Sequence, residues 1–247
     1  MEDTFGDRMP ERKPVTVIAG IGPGLGAALA ARFAREGHAI ALLSRSEQSR
    51  APIVETLRSQ HRGVEGFACN AGDPASVQDA FEKVRDSLGA PTVLLYNAGS
   101  FAAGGILELS PEVFEAAWRA NCYGGFLTAR EVLPAMIEAG AGTILFTGAT
   151  AALRGGAGFA GLAVGKFGLR ALAQSTAREF APQGIHVAHV VIDGQIGGPK
   201  NRELQPERTG ETFLAPEAIA DAYWQLHNQP RSAWTQELDL RPHVEKF

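Results

Sequence analysis

Apolar residues in this chain come in short blocks separated by longer amphipathic stretches. Seven blocks read as strands: VTVIAG (15–20), AIALLSR (39–45), VEGFAC (64–69), TVLLYN (92–97), TILFTG (143–148), HVAHVVID (186–193) and QELDLR (236–241). They are close to continuously apolar rather than alternating, the pattern of strands buried on both faces. Between them the period lengthens to that of helices over 25–36, 52–60, 75–88, 111–139, 159–181 and 216–227. Asp73 before Pro74 and Ser110 before Pro111 each place an N-cap ahead of a first-turn proline. Strand and helix in alternation predict an α/β domain: a doubly wound parallel sheet of about seven strands, with helices on both faces.

Composition narrows the picture. The 247 residues are 45% hydrophobic and 20% charged, which suits one globular domain over 15–247. A net charge of -4 with no basic cluster argues against a nucleic-acid partner. No apolar run reaches membrane-spanning length, and residues 1–14 lack the apolar core of a signal peptide, so they read as a disordered lead-in. Cys69 and Cys122 lie far apart, no Cys/His spacing points to a metal, and a reduced cytoplasmic setting is expected. Only 194–215 lacks a clear period. Inside a compact domain a stretch this long reads as a substrate or lid loop.

The chemistry starts at AGIGPGLGAALAARFAREG, where the first strand runs through glycines into a helix. Glycines let a backbone turn tightly and approach a pyrophosphate, whose charge the helix N-terminus holds. Two registers fit: Gly22, Gly24 and Ala27 as G-x-G-x-x-A, or Gly20, Gly24 and Gly26 as G-x-x-x-G-x-G. Either predicts a dinucleotide site in a Rossmann-like fold. The second strand ends in Ser44 and Arg45 with no carboxylate. A guanidinium suits a ribose 2′-phosphate, so NADP is preferred and NAD is the alternative.

In this order and spacing the motifs resemble those of the short-chain dehydrogenase/reductase family over about residues 15–240. Its glycine motif is matched by Gly20, Gly22, Gly24, Leu25 and Gly26, and its adenine-side acid by Asn70, followed by Ala71. Its N-N-A-G stretch is matched by Asn97, Ala98 and Gly99, its helix asparagine by Asn121, and its P-G by Asp193-Gly194. Ile196 follows as a further cofactor contact. The resemblance implies hydride exchange between NADP and a small carbonyl or alcohol. A tyrosine then delivers the proton, a lysine lowers that tyrosine's pKa and holds the ribose, a serine polarises the carbonyl, and the asparagine keeps a water relay. The resemblance also implies a homodimer or homotetramer paired through the helices at 111–139 and 159–181.

Two of those residues are missing. Lys166 holds the lysine position, but the tyrosine position is Leu162 and the serine position is Ala149. Neither side chain donates a proton or a hydrogen bond. Candidate replacements are Thr147 and Thr150, of which Thr150 reads more readily as a turn residue, and Asp193, which pairs with Lys166, acts as an acid if burial raises its pKa, or caps a turn. His186 and His189 fall on opposite faces of one strand and read as core or surface histidines. Lys166, Asn121 and Asp193 are therefore the candidate catalytic set. An oxidoreductase with non-standard proton donation is the first reading. A dinucleotide-binding sensor, scaffold or partner subunit without turnover is the alternative, and an isomerase or lyase in the same cleft is a third.

Overall fold

The computed structural model describes residues 13–207 and 210–245, with the side chain of Lys200 outside that description. Most of the expected lead-in, 1–12, and residues 208 and 209 of the expected loop also lie outside it. Seven parallel strands, β1 (Val15–Ala19), β2 (Ala39–Ser44), β3 (Val64–Ala68), β4 (Pro91–Tyr96), β5 (Gly142–Thr147), β6 (Ile185–Ile192) and β7 (Glu237–Leu240), form one sheet in the order β3-β2-β1-β4-β5-β6-β7. The order reverses between β1 and β4. In an open parallel sheet this is where a crevice opens beyond the strand ends.

Helices cover both faces, as continuously apolar strands require. Val17, Leu94 and Phe146 face one layer, made with Phe81 of α3 (Pro74–Ser87), Val132 of α5 (Gly124–Ala139) and Leu169 of α6 (Ala160–Phe180). Ile18, Leu95 and Leu145 face the other, with Phe33 of α1 (Leu25–Arg35), Leu57 of α2 (Glu47–Gln60) and Tyr223 of α8 (Pro216–His227). Adjacent residues of one strand therefore feed opposite cores.

Three stretches differ from the sequence expectation. The helix expected over 52–60 starts at Glu47, where the Ser46 hydroxyl caps the backbone of Ser49. Pro52 lies inside it, in an exposed turn. The helix expected over 111–139 is α4 (Pro111–Trp118) joined to α5 through a π-helical turn, Arg119–Tyr123. The stretch 194–215 contains α7 (Pro199–Leu204), and its two ends are tied together. Gly197 donates to the Leu214 carbonyl and Leu214 donates to that of Gln195, both at 2.8 Å.

Candidate active site

The glycine turn is locked from below. Gly20 has φ +95°, and a Cβ there would collide with the backbone nitrogen of Ala98. Asn97, at the end of β4, donates Nδ2 to the Gly20 carbonyl at 2.8 Å. A Cβ on Gly26 would come within 2.9 Å of that same carbonyl oxygen. Gly22 and Gly24 are different: nothing lies within 4 Å of where their Cβ atoms would project. No side chain caps the N-terminus of α1 and no acid stands in its first turn, which leaves its positive dipole end open to an anion.

These residues wall one cavity of about 570 Å³ at the strand-order switch. Gly20, Gly22, Gly24, Leu25, Gly26, Ser44, Arg45, Asn70, Ala71, Asn97, Ala98, Gly99 and Ile196 all line it. The Asn70 side chain is turned on its own loop, accepting from the Gly72 backbone at 3.3 Å. Ser44 donates to the Ser46 carbonyl, so its hydroxyl hydrogen is engaged locally.

Lys166 and Asn121 converge at the other side of Gly99. A Cβ on Gly99 would lie 3.0 Å from Asn121 Oδ1 and 3.7 Å from Lys166 Nζ. Asn121 sits in the π-helical turn, where Nδ2 donates to the carbonyls of Ala117 at 2.9 Å and Ser100 at 2.8 Å. The turn widens the helix enough to leave the Ala117 carbonyl available. Lys166, buried at 7% exposure, donates Nζ to the Thr147 carbonyl at 2.8 Å. Burial pushes its pKa down to about 8.

The remaining candidates have other partners. Asp193 does not pair with Lys166: it accepts from the Thr150 hydroxyl at 2.5 Å and ion-pairs with Arg241 at 3.4 Å. Parallel pairing of Ile192 with Leu240 brings Arg241 to it. Thr150 thus bonds Asp193 rather than its own turn, and the Thr147 hydroxyl is taken by Tyr223 at 2.7 Å. His186 stacks on Trp234 while His189, on the opposite face, contacts Glu237 at 3.1 Å. Burial lowers both imidazoles below their ordinary range. Arg50 was not anticipated: the true start of α2 places it behind Ser44, to which it donates.

Residues 14–206 match the model of the family described as short chain dehydrogenase. The chain belongs to that family. A short-chain dehydrogenase from Rhodopseudomonas palustris superposes with a TM-score of 0.81 at 37% identity, over 94% of this chain and 100% of the other. A metagenomic short-chain oxidoreductase in complex with NADP gives a TM-score of 0.81 at 25% identity, over 94% and 98%. The 3-oxoacyl-(acyl-carrier-protein) reductase FabG of Escherichia coli (strain K12) is 28% identical over 78% of each chain. As a short-chain dehydrogenase this protein carries Leu162, half-buried on α6, and Ala149, at the end of β5, where the sequence resemblance placed a tyrosine and a serine.

Proposed function

We propose that this short-chain dehydrogenase is an NADP(H)-dependent oxidoreductase acting on a small carbonyl or alcohol, with Lys166 in place of the missing tyrosine as the proton-exchanging group. NADP is the preferred cofactor and NAD the alternative. The observation that carries the proposal is the convergence of Lys166 Nζ and Asn121 Oδ1 on Gly99, at the wall of a cavity built from the glycine turn. Open space above Gly22 and Gly24 and the uncapped start of α1 fit a pyrophosphate. The complex of the metagenomic relative with NADP and the carboxylate-free end of β2 favour the phosphorylated dinucleotide.

When bound, the dinucleotide supplies or takes the hydride. The chain does the rest. Asn97 holds the turn that binds it. Leu162 and Ala149 offer the substrate no hydroxyl, so the carbonyl oxygen must find its proton elsewhere. An amine with a pKa of about 8 is protonated in a large fraction of molecules near neutrality and exchanges readily, as a general acid should. In reduction the Lys166 ammonium gives its proton to the oxygen; in oxidation the free amine takes it. Asn121, fixed by Ser100 and Ala117, orients the groups around Gly99. Asp193, held by Arg241, orients Thr150.

The exposed Val113, Phe126, Val164 and Phe167 on α4, α5 and α6 support pairing of this protein as a homodimer or homotetramer. Its unpaired Cys69 and Cys122 fit a cytoplasmic setting. Among the described residues no helix is long and apolar enough to cross a membrane.

The test is NADPH oxidation against a panel of small ketones and aldehydes, with wild type and Lys166→Met. Turnover that Lys166→Met removes supports the proposal. Tight nucleotide binding with no turnover across the panel replaces it by the sensor or scaffold role, and failure to bind either nucleotide defeats both.

A further inference from the structure

Two loops that leave the same end of the sheet present an exposed aromatic pair. Phe101 follows β4 and Phe159 opens α6; they are 69% and 39% exposed, and their rings meet edge to face with centroids 5.7 Å apart. The backbone holds them there. Gly104 of the first loop donates to the Gly158 carbonyl of the second at 2.9 Å, and a Cβ on Gly161 would meet Ala102 and Leu109 at 3.3 Å. Asn121 fixes Ser100, the residue before Phe101, twice over. It accepts from the Ser100 N–H at 3.4 Å and donates to the Ser100 carbonyl at 2.8 Å.

The second ring is tied to the same corner through α6. Phe159, Leu162 and Lys166 stand at i, i+3 and i+7, along one face of the helix. At 1.5 Å per residue, about 10 Å separates the two ends of that stripe. Charge is scarce on both loops. Residues 100–109 hold Glu108 alone, its carboxylate turned on the Gly105 N–H at 3.0 Å, and residues 148–158 hold Arg154 alone, which is exposed.

We propose that this stripe receives the carbon body of the substrate, and that the substrate class is an uncharged carbonyl or alcohol joined to an aromatic ring. The proposal deepens the oxidoreductase reading of the site and rests on it. With its oxygen at Lys166, such a substrate lies along Leu162 and ends against Phe101 and Phe159. Two phenyl groups already set edge to face give a further planar ring a geometry worth more than apolar area alone. A carboxylate or phosphate on the same body loses its hydration there with no buried cation to receive it. Exposed apolar side chains that adjoin a cleft in this way mark a ligand surface.

The experiment uses the full chain with NADPH, as wild type, Phe101→Ala, Phe159→Ala and Phe101→Leu. Turnover of acetophenone is compared with that of hydroxyacetone, and binding of the fluorescent ketone 2-acetylnaphthalene, displaced by acetophenone, is titrated separately. Wild type favours acetophenone in kcat/KM, and each alanine variant lowers the acetophenone-to-hydroxyacetone ratio about 10-fold, mainly through KM. Phe101→Leu keeps apolar bulk without the ring face and loses less. Phe101 is exposed, so its variants fold, and thermal melts check this. A wild type that favours hydroxyacetone, or alanine variants with an unchanged ratio, overturn the inference while the oxidoreductase reading stands. If no ketone turns over, that reading fails and binding decides: 2-acetylnaphthalene affinity that falls in Phe101→Ala supports the subsite, and no binding overturns it. Alanine variants that change the sedimentation of the protein but not its affinity for 2-acetylnaphthalene assign the rings to a second copy of the chain and overturn the inference.

Discussion

Lys166 on α6 donates its ammonium to the carbonyl of Thr147, the last residue of β5, across 2.8 Å. The contact fixes the lysine under the β5 turn, while burial lowers its pKa to about 8. In the reduction direction the ammonium is the reactive form, so kcat falls as pH rises through about 8. In the oxidation direction kcat rises through the same value. Lys166→Met lowers kcat by about 10²- to 10⁴-fold, the usual cost of losing a general acid. A pH–rate profile in both directions checks it. The same inflection in both directions with the same sign would exclude Lys166 as the proton donor.

Gly20 and Asn97 form one clasp, joining the end of β1 to the end of β4. Gly20→Ala meets two obstacles, a left-handed φ of +95° and the Ala98 backbone nitrogen, which cannot move aside as a side chain tip would. We expect a loss of roughly 3 kcal/mol or more in urea unfolding. Asn97→Ala removes the donor to the Gly20 carbonyl and costs about 1 to 3 kcal/mol, together with weaker nucleotide binding. A Gly20→Ala variant with unchanged unfolding midpoint would mean that the turn is looser than the structure has it.

On the opposite end of the sheet, His38 and His227 meet with ring centroids 5.4 Å apart, each bonded through Nδ1 to a threonine, Thr16 at 2.8 Å and Thr143 at 2.9 Å. Burial, joined by the neighbouring His38 and His186, depresses His227 from 6.5 to about 4. The unfolded chain therefore binds a proton that the folded chain refuses between those values. Stability is full above about pH 6.5 and is lost progressively as pH falls towards 4, by roughly 2 to 3 kcal/mol from His227 alone. His38 is shifted the same way by burial, with Glu36 opposing. Urea midpoints between pH 7 and 4 should slope less in His227→Gln than in wild type. Parallel slopes would assign the acid sensitivity elsewhere.

The sheet was legible because each strand declares itself alone: VTVIAG or TVLLYN admits no amphipathic helix, and glycines mark the exit of β1. The opposite facing of His186 and His189 followed from parity. What escaped lay where local signals conflict or where a contact is made only by the sheet. Residues 46–50 are polar and Pro52 mimics a first turn, so the sequence pattern starts α2 late and leaves Arg50 outside it. The pairing of Asp193 with Arg241 depends on β7 lying beside β6, a register with no local signature. The π-helical turn that carries Asn121 adds one residue to a turn without breaking the apolar period.

The two absent hydroxyls can be put back. Leu162 is half-buried one turn before Lys166 on α6, and Ala149 is extended at φ -159°, a conformation serine adopts freely. The groups that would serve a tyrosine, Lys166 and Asn121, already stand at Gly99. The double variant Leu162→Tyr/Ala149→Ser should therefore gain a second route for the proton. If the wild type turns over slowly through Lys166, the double variant raises kcat by about 10- to 100-fold on small carbonyls, and its profile no longer breaks near pH 8 alone. Each single variant gains less, because the phenol and the serine hydroxyl act on the same oxygen and their effects are not additive. Nucleotide affinity stays within about twofold, since neither position lines the cavity of the glycine turn. A folded double variant that binds NADPH like wild type but shows no gain on any carbonyl would mean that the substrate oxygen does not sit beside Leu162, and that this cleft orients its substrate differently from a tyrosine-dependent reductase.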